Sequence, residues 1–224
     1  MTNTTKGIVI TALGVLIMSP DGLLLRLITE DVLTITFWRG LFYSCGMFIV
    51  LLAYYRSNIL DAFLGIGKPG LLLAVLYFLG NLSFVYSISN TAVANTLFIV
   101  STTPLFAALI AWLFLKKQVS RNTWIAIGIA SSGIIIICSG ETLMPNAHLG
   151  NMAGLLGAFT LASSFTVIGQ NRERDLLPSF VLGGFLMAMC IQPFIAPYDT
   201  SDSNLFYLFI MGCLLYTSPS PRDA

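Results

Sequence analysis

Two ionisable residues lie where charge is least expected. Asp21 and Arg39 each sit inside a long apolar stretch, where a charge costs roughly 2.5–3.5 kcal/mol at the centre of a membrane span and faces a cavity or a partner of opposite sign. At a rise of 1.5 Å per residue, Asp21 and Arg39 fall ~10 Å and ~9 Å from the ends of two adjacent antiparallel helices, so an ion pair between them is expected. The plainer alternative is that Arg39 snorkels to the headgroups and Asp21 caps the break at Pro20. Trp38, beside Arg39, joins the candidates. Downstream, Tyr77 and Asn81 are spaced i, i+4, and Asn95, Thr102 and Thr103 are spaced i, i+7, i+8. Each set falls on one helical face that would line a solute cavity or hold neighbouring helices by hydrogen bonds. Pro104 is expected to bend its helix and free carbonyls near Val100.

Other chemistries find little support. His148 is the only histidine, so H-E-x-x-H metal sites and Ser/His nucleophile arrangements lack their parts. Gly65, Gly67 and Gly70 satisfy G-x-G-x-x-G, yet no strand precedes them, so a phosphate cradle is not expected. Cys45, Cys138, Cys190 and Cys213 lie in apolar runs without metal-ligand spacing, and are expected to be small buried hydrophobes. No catalytic residue, metal or cofactor is therefore expected, and a net charge of +1 with scattered basic residues gives no reason to expect nucleic acid.

The elements that must position these residues follow from composition. The chain is 56% hydrophobic and 9% charged, with a mean hydropathy of +0.86, against roughly 25% charged in soluble domains. Seven apolar runs near bilayer length occupy residues 7–28, 33–54, 70–90, 92–115, 123–140, 150–170 and 178–198, and an eighth begins near Asn204. Lipid offers no partner to unpaired backbone groups, so the runs are expected to be helices. Lys6, Arg56, Lys68, Lys116, Lys117, Arg121, Arg172 and Arg174 fall in connectors on one side, and only Arg26 on the other. That bias predicts a cytoplasmic N-terminus. Gly150, Gly154 and Ala158 form a small-xxx-small strip suited to close contact within the chain, with a homodimer as the alternative. The eighth run is about 12 residues before the Ser/Pro-rich residues 216–224, so a short helix and a non-native tail on a truncated chain are expected.

Offsetting the sequence by 144 positions pairs Ser19 with Ser163, Asp31 with Asp175, Leu33 with Leu177 and Gly40 with Gly184. More telling, a run, a short charged hinge and a second run recur five runs later. An odd-numbered repeat must insert upside down, as in many secondary transporters. The residues Phe37-Trp38-Arg39-Gly40, Pro104-Leu105-Phe106-Ala107-Ala108-Leu109 and Val119-Ser120-Arg121-Asn122-Thr123-Trp124 resemble the EamA family of the drug/metabolite transporter superfamily. The resemblance covers residues 7–212. It implies an all-α integral membrane bundle of inverted five-helix repeats, a first over residues 7–140 and a partial second over residues 150–215, with seven to eight of ten helices present. Lys117 departs from the family, many of whose members carry Glu there. The implied activity is carriage of a small metabolite across a bacterial-type cytoplasmic (inner) membrane by alternating access. A seven-helix receptor would need an outer N-terminus, and an enzyme a nucleophile with its base.

Overall fold

The computed structural model describes residues 12, 20–114, 116, 121–140, 147–195 and 200–216. Its order is α1 (Asp21–Leu27), α2 (Val32–Tyr55), α3 (Ile59–Gly65), α4 (Gly67–Asn90), α5 (Val93–Val100), α6 (Thr103–Leu113), α7 (Arg121–Gly140), α8 (Ala147–Gln170), α9 (Leu177–Ile191) and α10 (Asp202–Tyr216). Among the described residues, five helical stretches are long and apolar enough to cross a membrane: 32–55, 67–90, 93–113, 147–170 and 177–194. Most of the first run, the Lys117 position, residues 141–146 and residues 217–224 lie outside the described residues.

Three expectations change. The fourth run is two helices, because Pro104 has no N–H to give to the carbonyl four residues back; it enters the first turn of α6, where its fixed φ is suited. The connector after α2 holds a 3-10 turn (Arg56–Asn58) and then α3, with Leu60 and Leu64 exposed. Cys45 and Cys190 are exposed rather than buried, because they stand on outward helix faces that a bilayer would cover. α10, at 15 residues, remains below spanning length.

The packing is inverted relative to a soluble domain. Large apolar side chains such as Ile49, Ile129 and Phe194 point outward, while Thr36, Ser44, Ser87, Thr96 and Ser179 are fully buried. Helices in lipid gain little from hiding leucine, so they associate through small residues and hydrogen bonds. α8 lies against α4, α5 and α6 on its expected small face: Gly150 abuts Thr91, Gly154 abuts Ser87 and Ile99, and Ala158 is fully buried. The strip is thus used within the chain.

Contacts sort the helix termini into two ends. At the Asp31 end, Arg26 donates to the Thr91 carbonyl, and Asn204 donates to Glu30 (2.8 Å) and Thr29 (3.3 Å). At the opposite end, Tyr55 donates to Asp175 and Arg174 lies beside Gly67. Leu25, Ile28, Ile35, Val85, Ile88, Leu208 and Met211 form a buried apolar cluster among α1, α2, α4 and α10.

At the centre α2 crosses α9, and residues related by the 144-residue offset meet there. A Cβ on Gly184 would lie 2.8 Å from the Gly40 carbonyl oxygen, and one on Gly40 would lie 3.0 Å from the Gly184 carbonyl oxygen. Only glycine permits so close an approach of two backbones. To one side Ser44 donates to the Val181 carbonyl at 3.0 Å; on the other side the offset partners, Phe37 and Ala188, share an apolar cluster with Met187 and Ile191. The offset partners Asp31 and Asp175 each accept the N–H two residues on, at 3.2 Å; Asp31 is the N-cap of α2, whereas Asp175 stands one residue before the N-cap of α9, Leu176.

Candidate functional site

Asp21 opens α1 after Pro20, and Arg39 lies two turns into α2. The hinge between these helices folds them back on one another, so the two side chains meet at matched depth. Arg39 donates from Nη1 to Oδ1 at 2.8 Å and from Nη2 to Oδ2 at 2.9 Å, a two-pronged, fully charge-assisted contact. Arg39 is 3% exposed and Asp21 6%, so this is a buried pair rather than a snorkelling arginine. α4 completes the enclosure: Asn81 accepts from Arg39 Nε at 3.3 Å while donating to the Tyr77 carbonyl at 3.0 Å, and the Phe84 ring lies 5.7 Å from the guanidinium carbon. Two helices therefore converge on the cation of a third: α1 supplies the carboxylate, and α4 an amide oxygen and a ring face.

The remaining candidates divide around this point. Tyr77 joins the same wall, stacked on Tyr43 at 5.2 Å and edge-on to Phe180 at 5.5 Å, so it ties α4 to α2 and α9. Trp38 stacks on Phe42 and donates Nε1–H to Thr200 at 3.2 Å, which turns its polar edge toward the start of α10. Asn95, Thr102 and Thr103 do not share a face, because the helix breaks between them. Thr102 donates to the Ile99 carbonyl and Thr103 to the Val100 carbonyl, both at 2.6 Å. The carbonyl that Pro104 frees is thus taken by Thr103. Asn95 is half-buried on α5.

Sequence reasoning missed a second polar region. Ser87, Thr91 and Thr96 form a buried hydroxyl cluster with contacts of 2.8 and 2.9 Å where α4 turns into α5. Asn151 is 3% exposed with both amide atoms unpaired, and the Ser179 hydroxyl is likewise unpaired. Ser87, Thr91 and Thr96 straddle the α4–α5 turn, so no single-helix pattern exposes the cluster. Among the described residues no group of three or more His, Cys, Asp or Glu side chains is placed to hold a metal.

Long apolar helices packed through small residues around a buried ion pair define a multi-pass helical membrane protein. The model of the EamA-like transporter family matches residues 5–139, more than half of the chain, and the chain belongs to that family. It is accordingly a membrane transporter of the drug/metabolite type, a class of permeases rather than enzymes. No curated protein and no solved structure is significantly similar to the chain.

Proposed function

We propose that the protein carries a small metabolite across the cytoplasmic membrane by alternating access, its two halves rocking about the crossing of α2 and α9. The observation that carries this reading is the reciprocal contact of Gly40 with Gly184. Two backbones meeting at glycine form a contact about which helices pivot, with Met187 and Ser44 packed beside it. The offset that relates the glycines also relates the flanking contacts and two aspartates that each accept the N–H two residues on, which supports an inverted repeat. The basic connectors support a cytoplasmic N-terminus: among the described residues, Arg56, Lys68, Arg172 and Arg174 follow or precede helices at the Asp175 end, and Arg26 alone is at the other.

In this reading Asp21, Arg39, Asn81 and Tyr77 form the first half's contribution to the solute path. A closed pair has spent its charge internally, so a solute gains access to Arg39 only when α1 and α2 separate. Binding would then be coupled to the same movement that opens the path.

Two measurements test this. Reporter fusions in the connector at residues 116–121 should report the cytoplasm, and fusions at residues 141–149 the other side; reversal sinks the orientation and the inverted arrangement together. Vesicles containing the protein and loaded with pooled small metabolites should release at least one class faster than empty vesicles, with Arg39→Ala abolishing the difference. Uniform retention of every class would overturn the carrier reading.

A further inference from the structure

A cavity of about 580 Å³ opens at the Asp31 end between the start of α2, the second half of α4 and α8. Its lining stripe on α4, Leu82, Ser83, Tyr86 and Asn90, is not the one that carries Asn81 and Phe84, so it is distinct from the charged site. Most of its wall is apolar, with Leu33 and Leu82 facing Ala153 of α8. Its polar groups are one carboxylate, one amide and the hydroxyls of Ser83 and Tyr86. Asp31 brings a carboxylate whose Oδ2 accepts the Leu33 N–H, with no hydrogen bond to Oδ1 among the described residues. Asn90 uses its amide N–H on the Tyr86 carbonyl and so has its oxygen left to offer. Ser83 is 6% exposed and its hydroxyl has no hydrogen bond among the described residues.

Charge points the same way. Among the described residues no lysine, arginine or histidine lines the cavity. At this end Arg26 is bound to the Thr91 carbonyl and Glu30 to Asn204, so the described cation is one against the two carboxylates of Glu30 and Asp31. A wall of acceptors beside one carboxylate and an apolar floor disfavours an anion, which would find only hydroxyl donors. It suits a group that brings its own N–H donors and positive charge.

We propose that this cavity binds an organic ammonium carrying an apolar body, with the ammonium at Asp31 and the body against Leu33, Leu82 and Ala153. The inference concerns binding, so it stands or falls separately from transport.

Three near-isosteric probes test it: phenethylammonium, 2-phenylethanol and phenylacetate, measured by saturation-transfer NMR on the whole protein in phosphatidylcholine nanodiscs. The ammonium should bind about tenfold more tightly than the alcohol, as a partly screened ion pair allows, and phenylacetate most weakly. Asp31→Asn keeps a helix N-cap of equal quality while removing the charge, so it should erase the preference without unfolding α2. Asp175→Asn, the offset partner at the other end, should leave it intact. Ala153→Phe, which fills the cavity from the opposite wall, should abolish binding of all three. Equal affinity for the three probes, a preference that survives Asp31→Asn, or binding that survives Ala153→Phe would overturn the proposal. Repeating the titration with phosphatidylethanolamine present separates the sources: competition supports the ammonium chemistry and assigns it to a lipid headgroup, while its absence assigns it to a solute.

Discussion

At the crossing of α2 and α9, residues 144 positions apart do matching work; in the charged site beside it they do not. Gly40 meets Gly184, and Asp31 and Asp175 each accept the N–H two residues on. Yet the positions that answer to Asp21 and Arg39 under the same offset are Phe165 and Gly183. Phe165 is exposed on α8, and Gly183 is pressed against the Ala74 backbone of α4. Symmetric packing thus tolerates asymmetric chemistry. The backbone contact needs only small residues, which any copy of the helix pair supplies, whereas an ion pair needs a third element to enclose it. α4, bearing Asn81 and Phe84, is that element in the first half.

The comparison breaks most severely if the missing charges are forced on the second half. Phe165→Asp with Gly183→Arg should give no folded protein on size exclusion in mild detergent, since a Cβ at position 183 already lies 2.8 Å from the Ala74 carbonyl oxygen. Recovery of a stable monomer would mean that α9 and α4 have room to part. Next in size, Arg39→Ala should cost about 3–5 kcal/mol by leaving Asp21 buried and uncompensated. The double variant Asp21→Ala with Arg39→Ala should recover much of that loss in thermal unfolding. Arg39→Lys should recover less, because an ammonium cannot reproduce the two-pronged fork. If all three variants melt with the wild type, the pair contributes nothing to the fold and its place in a solute path gains weight.

Smaller effects sharpen the symmetric side. Gly184→Ala should destabilise by about 1–3 kcal/mol, since the added methyl meets the Gly40 carbonyl and Ser44. Gly40→Ala should fall in the same range, because its methyl meets the Gly184 carbonyl and the end of Met187, a flexible side chain that gives more easily. A tenfold difference in their unfolding constants would show that the crossing is less reciprocal than its geometry. Smallest of all, Asp31→Ala should cost about 1 kcal/mol as a lost helix cap. Asp175→Ala should cost more, because Asp175 also accepts from Tyr55. Equal losses in denaturant titrations would remove Tyr55 from the account.

Much of this was legible in the residues themselves. Apolar runs of bilayer length specify helices because lipid leaves backbone groups no other partner, and the second, third and sixth runs were located to within a few residues. Asp21 and Arg39 were legible as a pair because depth along a helix follows from residue count alone. Pro104 marked a discontinuity because it lacks a donor. The face expected from Asn95, Thr102 and Thr103 was not, because helical periodicity holds only while one helix continues.

What the sequence by itself determined is therefore what depends on distance along the chain: which apolar runs are helical and how deep each charge lies. The tertiary structure alone decided what depends on rotation and neighbours. It brought Asn81 and Phe84 to Arg39, turned the hydroxyls of Thr102 and Thr103 onto their own backbone, and gathered Ser83, Tyr86 and Asn90 opposite Ala153. In lipid every helix face is apolar enough to be buried or exposed. With no water to mark the outer side, the choice of face falls to close backbone approach and hydrogen-bond satisfaction, which are properties of pairs of helices and not of either one.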